Sequence, residues 1–234
     1  MNVLVGMSGY SYKEWKGGFY PEDLPAEGML PFYAERFPAV EINNTFYRMP
    51  TEKLLLQWAG QVPADFVFVL KATRRITHMN RLKGVAEHVE YFLRTGSVLG
   101  ARQGPSFFQL PPNFKKDLPL LQDFLSLIPP RCPAAMEFRH ESWFSDDVYQ
   151  ALKSHDVALC VVDSDTGETP FVPTASWGYL RLRSEAYDQT KLQAWADRIR
   201  SQPWERAYTF LKHEEDAGLG PQMALKLRGI LDTK

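Results

Sequence analysis

The sequence has few cysteines and no long apolar run. Its two cysteines, Cys132 and Cys160, cannot form a disulfide framework, and neither belongs to a CxxC pair that would indicate a zinc or redox site. No apolar stretch is long enough to span a bilayer, and the first residues lack the basic and apolar regions of a secretory signal. We therefore expect a cytoplasmic protein with no membrane partner.

The sequence also lacks a large charge of either sign. Its 27 Lys and Arg residues against 28 Asp and Glu residues give a formal net charge of −1. A strongly basic nucleic-acid-binding surface is therefore not expected, and any affinity for an anion must be local. The absence of GxGxxG after a strand, GxxxxGK[ST], HExxH and GxSxG argues against nucleotide cofactors, P-loop hydrolysis, zincin chemistry and the hydrolase elbow.

Short apolar, β-branched or aromatic runs alternate with helix-like segments along the chain. This order predicts parallel strands joined by helical crossovers. The predicted strands are residues 3–6, 39–43, 66–71, 106–110, 134–139, 158–163, 178–183 and 207–212. The predicted helices are residues 28–37, 51–59, 85–99, 118–127, 146–154, 191–201 and 221–231. The crossover 164–176 contains Gly167, Pro170 and Pro173, so we expect little helix there.

Eight predicted strands, seven of them followed by a predicted helix, favour one α/β fold over its alternatives. They predict a closed (β/α)₈ barrel of the TIM type, in a single compact domain over residues 1–234, although this length is near the short end for that fold. An open, doubly wound sheet is the structural alternative.

Alternation within the strands predicts which side chains point into the barrel. Polar residues fall on one parity near the carboxyl ends of the strands, opposite apolar residues that should face the helices. Glu41 is thus predicted to point to the face opposite Val40 and Ile42. In the same way, Asp163 is predicted to point to the face opposite Cys160 and Val162. The strand residues predicted to meet at the barrel mouth are Glu41, Asn43, Lys71, Gln109, Glu137, Arg139, Asp163, Arg181, Arg183 and Lys212.

The charges at this mouth indicate an anionic ligand. Five cations face three carboxylates there, an excess of two positive charges in a chain whose net charge is −1. A phosphate, a carboxylate or a nucleic-acid backbone would balance them. The candidate catalytic residues are Glu41, Glu137 and Asp163 as bases and Lys71 and His140 as acids. The candidate substrate-binding residues are Tyr10, Asn43, Asn44, Tyr47, His78, Gln109, Arg139, Trp143, Arg181, Arg183 and Lys212.

Each candidate also has a structural interpretation. Glu137 with Arg139, or Asp163 with Arg181, is interpretable as a buried salt bridge that closes the barrel top. Lys71 is interpretable as an ion-paired lysine and not a base or Schiff-base residue, and His140 as part of a capped loop. Carboxylates and histidines on separate strands would suit a divalent metal, but the cations of the mouth already supply its electrostatic role. We therefore predict no metal and no other cofactor.

The motifs at these positions resemble the YecE-like family, catalogued as domain of unknown function 72. The matching segments, which are spread over essentially the whole chain, are Ser8-Gly9-Tyr10-Ser11-Tyr12, Glu41-Ile42-Asn43-Asn44-Thr45-Phe46-Tyr47-Arg48, Leu70-Lys71-Ala72, Phe108-Gln109-Leu110-Pro111-Pro112, Glu137-Phe138-Arg139-His140 and Tyr179-Leu180-Arg181-Leu182-Arg183. The resemblance implies a TIM-type barrel but no established activity. Many members of the family carry asparagine in the last strand, where this chain has Lys212-His213-Glu214.

These observations lead to three functional hypotheses. The first is an enzyme that cleaves a phosphorylated or nucleic-acid-derived substrate by general acid/base hydrolysis or lyase chemistry at the carboxyl-end mouth of the barrel. The second is a nucleic-acid-binding protein without catalysis, which would use Tyr10, Tyr12, Tyr47 and Trp143 to stack on bases. The third is a scaffold in which the charges only maintain shape.

Overall fold

A computed structural model of the chain describes residues 1–212 and 218–233, and these ranges contain nine strands and seven α-helices. The strands are β1 (Asn2–Met7), β2 (Ala39–Ile42), β3 (Val67–Lys71), β4 (Gln103–Gln109), β5 (Ala134–Glu137), β6 (Ala158–Ser164), β7 (Gly167–Glu168), β8 (Trp177–Leu182) and β9 (Arg206–Leu211). The helices are α1 (Met29–Ala34), α2 (Glu52–Ala59), α3 (Ala86–Gly96), α4 (Leu118–Ser126), α5 (Asp146–Lys153), α6 (Gln189–Arg200) and α7 (Leu219–Asp232). Every predicted strand and helix overlaps one of these elements.

The strands close into a parallel barrel. Pairing runs in the order β5-β4-β3-β2-β1-β9-β8-β6, and β5 also pairs with β6 through Ala135 and Ala158, so that no edge of the barrel is left open. The short β7 pairs antiparallel with the end of β6 and lies in the crossover 164–176, for which we expect little helix. The predicted TIM-type barrel is thus confirmed. The open sheet is excluded, because its two edge strands would be unpaired whereas β5 and β6 pair with each other.

Two apolar layers fix which side chains point inward. One cluster lines the barrel interior and includes Ala39, Phe107 and Tyr179, whereas the larger cluster lies between the strands and the helices. The predicted parity is confirmed for β2, because Ala39 lies inside and Val40 and Ile42 contact the helix layer. Glu41 therefore points into the barrel, as predicted.

The predicted parity of β6 is wrong. Ala158 and Cys160 belong to the interior cluster, and Leu159 and Val161 belong to the helix layer, so Asp163 points away from the interior. The physical reason is that a strand buried on both faces has no polar alternation. A run of small and β-branched apolar residues fits either parity.

A tyrosine bridges the junction between β1 and β2. These strands are registered only at Gly6 with Ala39 and at Met7 with Val40. The Tyr33 hydroxyl accepts a hydrogen bond from the Met7 backbone N–H at 2.7 Å and donates one to the Ala39 carbonyl at 2.8 Å. A side chain at Gly6 would collide with the Ala39 carbonyl oxygen, its Cβ lying 2.1 Å away, so glycine is required there. This junction positions the two loops that follow β1 and β2 at the mouth.

Side-chain caps define the starts of three crossover helices. Thr51, Asp117 and Asp188 each accept a hydrogen bond from a backbone N–H three residues further on, which satisfies a donor that the first helical turn leaves unpaired. Within the described ranges, every helix is too short or too polar to cross a bilayer.

Candidate functional site

Five polar side chains meet inside the carboxyl end of the barrel. Glu41 comes from β2, and Lys71, Gln109 and Glu137 are the last residues of β3, β4 and β5. Arg181 lies one residue before the end of β8. All five are buried, and Arg181 is only 2% exposed. The structure thus brings together side chains from five strands that the sequence predicted to converge.

Arg181 bridges the two buried carboxylates. Its Nη1 donates to Glu137 Oε2 at 2.7 Å and its Nη2 donates to Glu41 Oε1 at 2.9 Å. The guanidinium also lies over the Phe107 ring, 4.9 Å from its centroid. The buried salt bridge at the barrel top therefore exists, but the partners of Arg181 are the two glutamates and not Asp163.

Each glutamate accepts further hydrogen bonds. Tyr179 donates its hydroxyl to Glu41 Oε2 at 2.6 Å, and Asn43 Nδ2 donates to Glu41 Oε1 at 2.9 Å. Tyr179 was not predicted as a site residue, although it shares the inward parity of Arg181 and was identifiable on that ground.

Glu137 has a comparable set of donors. Its Oε1 accepts from Gln109 Nε2 at 2.7 Å and from Arg139 Nε at 2.9 Å. Burial alone would raise the pKa of both glutamates, but Arg181 and these hydrogen bonds outweigh it. They hold the pKa of Glu41 below its ordinary value and lower that of Glu137 to about 2. Both carboxylates are therefore ionised at neutral pH, and both have low affinity for a proton.

Lys71 occupies a different environment. Its Nζ donates to Gln109 Oε1 at 3.0 Å and lies 4.6 Å from the centroid of the Phe46 ring. Within residues 1–212 and 218–233, no carboxylate forms a salt bridge with it, so the ion-paired interpretation is not supported there. Burial, followed by repulsion from Arg181, lowers the pKa of Lys71 to about 8. Thr45 fixes the end of β3 by donating its hydroxyl to the Lys71 carbonyl at 2.6 Å.

Two arginines line an open cleft beside this network. The cleft has a volume of about 430 Å³, and its walls include Glu137, Arg139, Val162, Thr169 and Arg183. The Arg139 side chain is 39% exposed and uses its Nε on Glu137. In the part of the chain that the structure describes, the half-buried Arg183 guanidinium makes no hydrogen bond. Burial, then repulsion from Arg181, lowers the pKa of Arg183.

Tyr10, Asn43 and Asn44 line a second cavity, of about 190 Å³, where β1 and β2 end. Tyr12, which the sequence placed among the stacking candidates, lies in its wall. Tyr47 stands outside it, 72% exposed.

His78 lies close to Lys71. Its Nδ1 is 2.9 Å from the Thr77 hydroxyl, and its ring packs edge-on against Phe46 with 4.8 Å between centroids. Burial and the charge of Lys71 lower its pKa. His78 is therefore placed beside the network, as predicted.

The predicted position of Asp163 in the mouth is wrong. Its Oδ2 accepts hydrogen bonds from the Tyr187 hydroxyl at 2.8 Å and from Trp195 Nε1 at 3.1 Å. Trp195 belongs to α6, so Asp163 ties the end of β6 to the helix layer. The loss of one carboxylate from the mouth increases the surplus of positive charge there.

Trp143 is buried and cannot stack on a ligand, so its predicted role in substrate binding is also wrong. It is fully buried, stacks on Phe138 with 4.8 Å between centroids, and donates from Nε1 to the Phe114 carbonyl at 2.6 Å. His140 caps the short helix that contains Trp143, because its Nδ1 accepts from the Ser142 N–H at 3.2 Å. The capped-loop interpretation therefore fits His140 better than catalysis.

Lys212 directly follows β9 and is half-buried. Its backbone N–H donates to the Leu182 carbonyl at 2.9 Å, which places it beside the end of β8 at the mouth. His213, which the sequence placed just beyond the last strand, lies outside the described residues. Among the described residues, no group of three or more His, Cys, Asp or Glu side chains is arranged to hold a metal ion.

Solved structures share this barrel. A DUF72 family protein from Thermotoga maritima superposes with a TM-score of 0.88 and 27% sequence identity, covering 99% of this chain and 100% of that one. A DUF72 family protein from Enterococcus faecalis gives a TM-score of 0.80 at 18% identity, covering 99% of this chain and 96% of that one. The second similarity concerns the fold alone.

Sequence relatives give the same family. The UPF0759 protein YecE of Escherichia coli (strain K12) is 35% identical over 145 residues, which are 61% of this chain and 50% of that protein. The UPF0759 protein YunF of Bacillus subtilis (strain 168) is 25% identical over 160 residues, 65% of this chain and 56% of that protein. The chain thus spans about half the length of the curated relatives it matches. A family model described as "Protein of unknown function DUF72" matches residues 4–234, and the chain therefore belongs to the DUF72 family.

Proposed function

We propose that the protein is an enzyme that binds an anionic, phosphorylated substrate between Arg139 and Arg183 and exchanges a proton with it through Lys71. The reaction class is hydrolysis or lyase-type cleavage. The observation that carries the proposal is the half-buried Arg183, which lines the cleft and has no side-chain hydrogen bond among the described residues.

The charge balance supports an anionic ligand. Among the described residues of the network and the cleft walls around it, Lys71, Arg139, Arg181 and Arg183 face Glu41, Glu137 and Glu168, and Glu168 is already paired with Arg198. Arg181 pairs with Glu41 and Glu137, and Arg139 shares Glu137, so Lys71 and Arg183 have no carboxylate partner among the described residues. Repulsion from Arg181 helps to lower the pKa of Lys71 and of Arg183. A phosphate or carboxylate in the cleft would relieve this repulsion and accept hydrogen bonds from the planar guanidinium groups.

The same geometry favours Lys71 over the glutamates for proton transfer. Glu41 and Glu137 each accept three hydrogen bonds and hold their protons weakly. General acid/base catalysis is most efficient when the pKa of the group lies near the working pH. The pKa of Lys71, lowered to about 8 by burial, meets this condition. Gln109 connects its ammonium group to Glu137, which lines the cleft.

A small substrate fits the site better than a nucleic-acid strand. Of the rings that would stack on bases, Trp143 is buried in the core, and the Tyr12 hydroxyl is held by the Ser8 carbonyl at 2.8 Å. Tyr47 alone among the four named rings is largely exposed. Binding of short oligonucleotides that weakens steeply with salt would instead favour the non-catalytic alternative.

The test is a screen of phosphorylated metabolites and short oligonucleotides, first by thermal shift and then by mass spectrometry of the products. A ligand of the folded state must raise its stability. We expect R139M and R183M to weaken binding of the hit, and K71M to bind it but turn it over at least about 100-fold more slowly. R206M is the matched control, because Arg206 begins β9 at the opposite end of the barrel. Equal binding by the R139M/R183M double variant and R206M, or full turnover by K71M, would overturn the proposal.

A further inference from the structure

A second cavity opens beside the anion-binding cleft. It lies where β1 and β2 end and has a volume of about 190 Å³, several times the share of one liquid water, which is about 30 Å³. Its walls are formed by Gly9, Tyr10, Ser11, Tyr12, Ile42, Asn43 and Asn44. These residues include no lysine or arginine, so the cavity differs in chemistry from the cleft lined by Arg139 and Arg183.

The orientation of the Asn43 amide is fixed by its neighbour. Asn43 Nδ2 lies 2.9 Å from Glu41 Oε1 and must donate to it, because an ionised carboxylate only accepts hydrogen bonds. The other amide atom, Oδ1, is therefore an acceptor. It is buried and has no hydrogen-bond partner among the described residues. A buried carbonyl without a partner needs an explanation, and a ligand donor supplies one.

A second unpaired polar atom lies on the adjacent strand end. The Ser8 hydroxyl is buried and also lacks a partner within the described residues. Because Met7 is registered with Val40, the next residues along the chain, Ser8 and Glu41, are neighbours. Asn43 follows two residues after Glu41. Ser8 is not itself a wall residue, but it directly precedes Gly9, which is, so its unpaired hydroxyl and the unpaired Asn43 carbonyl lie at neighbouring strand ends.

The tyrosine wall of the cavity is held by the backbone around Gly9. The Tyr12 hydroxyl donates to the Ser8 carbonyl at 2.8 Å. Gly9 has a φ of +109°, and a Cβ there would lie 2.4 Å from the Tyr12 hydroxyl oxygen, so only glycine permits this approach. The Tyr12 ring packs on Trp15 with 4.8 Å between centroids, which makes the wall rigid.

Electrostatic interaction and a chain of hydrogen bonds link the two cavities. Burial raises the pKa of Tyr12, in the wall of the small cavity, to about 12, and the charge of Arg183, in the wall of the cleft, partly opposes this rise. A chain of contacts also runs from Asn43 through Glu41, Arg181 and Glu137 to Arg139. A molecule with an anion at one end would reach the small cavity with its neutral end.

The geometry points to the small cavity as a subsite for the hydroxyl-bearing part of a phosphorylated sugar, with Asn43 Oδ1 and Ser8 Oγ as its hydrogen-bond partners. Sugar hydroxyls donate and accept, which suits an unpaired carbonyl beside an unpaired hydroxyl. The C–H faces of a sugar ring suit contact with Tyr10 and Tyr12. This inference rests on the proposed function, because the phosphate would bind between Arg139 and Arg183.

Calorimetric titrations with three probes test it: inorganic phosphate, ribose 5-phosphate and ribose. We expect the wild-type protein to bind ribose 5-phosphate at least about tenfold more tightly than phosphate. N43L should remove most of that difference, measured as the ratio of the two affinities within the same variant, since a lost hydrogen bond of about 1.4 kcal/mol is tenfold in affinity. S8A is the second variant, because it deletes an unpaired atom and should fold normally. It should weaken ribose 5-phosphate alone.

Each outcome separates the two proposals. R183M should weaken both phosphate and ribose 5-phosphate. If ribose 5-phosphate binds the wild type no more tightly than phosphate does, or if N43L and S8A keep the full difference, the sugar subsite is wrong and the anion site stands. If phosphate fails to bind but ribose binds and loses affinity in N43L, the anion site is wrong and the subsite stands. If none of the probes binds, both are wrong.

Discussion

Arg181 and Glu137 are joined by a hydrogen bond of 2.7 Å between Nη1 and Oε2, although 44 residues separate them in the chain. Since Arg181 also reaches Glu41, one guanidinium connects β8 to β5 and to β2 across the inside of the barrel. The strands it connects are not neighbours in the sheet. The side chains that balance the charges of the mouth therefore also fix the shape of the barrel top.

Replacing Arg181 should strongly destabilise the fold. R181M would leave two carboxylates buried without their shared counter-charge, and we expect it to lower the free energy of unfolding by about 3–5 kcal/mol. Urea denaturation followed by circular dichroism measures this change. The matched control is R198M, because Arg198 pairs with Glu168 on the surface, where the side chain is 40% exposed. We expect the control to cost about 1 kcal/mol or less. Equal costs for the two variants would contradict a structural role for the bridge.

Lys71 should make the protein more stable as the pH rises above 8. Its pKa is about 8 in the folded protein and near 10.5 ordinarily, so between these values the unfolded chain binds more protons. The free energy of unfolding of the wild type should therefore rise through that window relative to K71M. Urea denaturation of both proteins between pH 7 and pH 10.5 measures the difference. Since the other titrating groups are common to both proteins, a constant difference would show that the pKa of Lys71 is not lowered.

The barrel was predictable because its signals are local and repeated. Each strand is a short apolar run, and each crossover helix has its own apolar face, so the order of elements follows from patterns a few residues long. Closure also follows from the number of strands. The end of β5 and the start of β4 were predicted less accurately, because the ends of buried strands carry no pattern of their own.

The site was predictable only where polar residues interrupt an apolar strand. Glu41, Gln109, Glu137 and Arg181 each stand among apolar neighbours, so their parity is unambiguous. The partners of Arg181 were not predictable, since its reach across the barrel depends on strand tilt and register. Trp143 was misplaced because an aromatic residue in a loop has the same appearance in sequence whether it packs inward or faces a ligand.

Asp163 should act on stability and not on ligand binding. Its carboxylate accepts from Tyr187 and Trp195 in the helix layer, so D163N should lower the free energy of unfolding by about 1–3 kcal/mol. The same variant should bind phosphate as the wild type does, in contrast to R183M. Calorimetric titration with phosphate and urea denaturation measure both effects. If D163N lost phosphate affinity with unchanged stability, Asp163 would have to face the mouth of the barrel and not the helix layer.

Glu137 should make the protein sensitive to acid. Burial tends to raise its pKa, but Arg181 and Arg139 lower it from the ordinary 4.5 to about 2. Its stabilising contribution is therefore complete above about pH 4.5 and is lost as the pH falls towards 2. E137Q lacks this contribution, so its deficit in the free energy of unfolding, about 3–5 kcal/mol at neutral pH, should shrink between pH 5 and pH 3.

Urea denaturation at a series of pH values measures this deficit. Exposed Glu90 provides the matched control, since it lies 3.9 Å from Arg94 on the surface of α3 and E90Q should stay within about 0.5 kcal/mol of the wild type. A deficit for E137Q that is the same at pH 3 and pH 7 would mean that the cost does not come from the negative charge of Glu137. Because Arg139 and Arg181 both pair with this one carboxylate, such a result would contradict the electrostatic coupling between Glu137 and the two arginines.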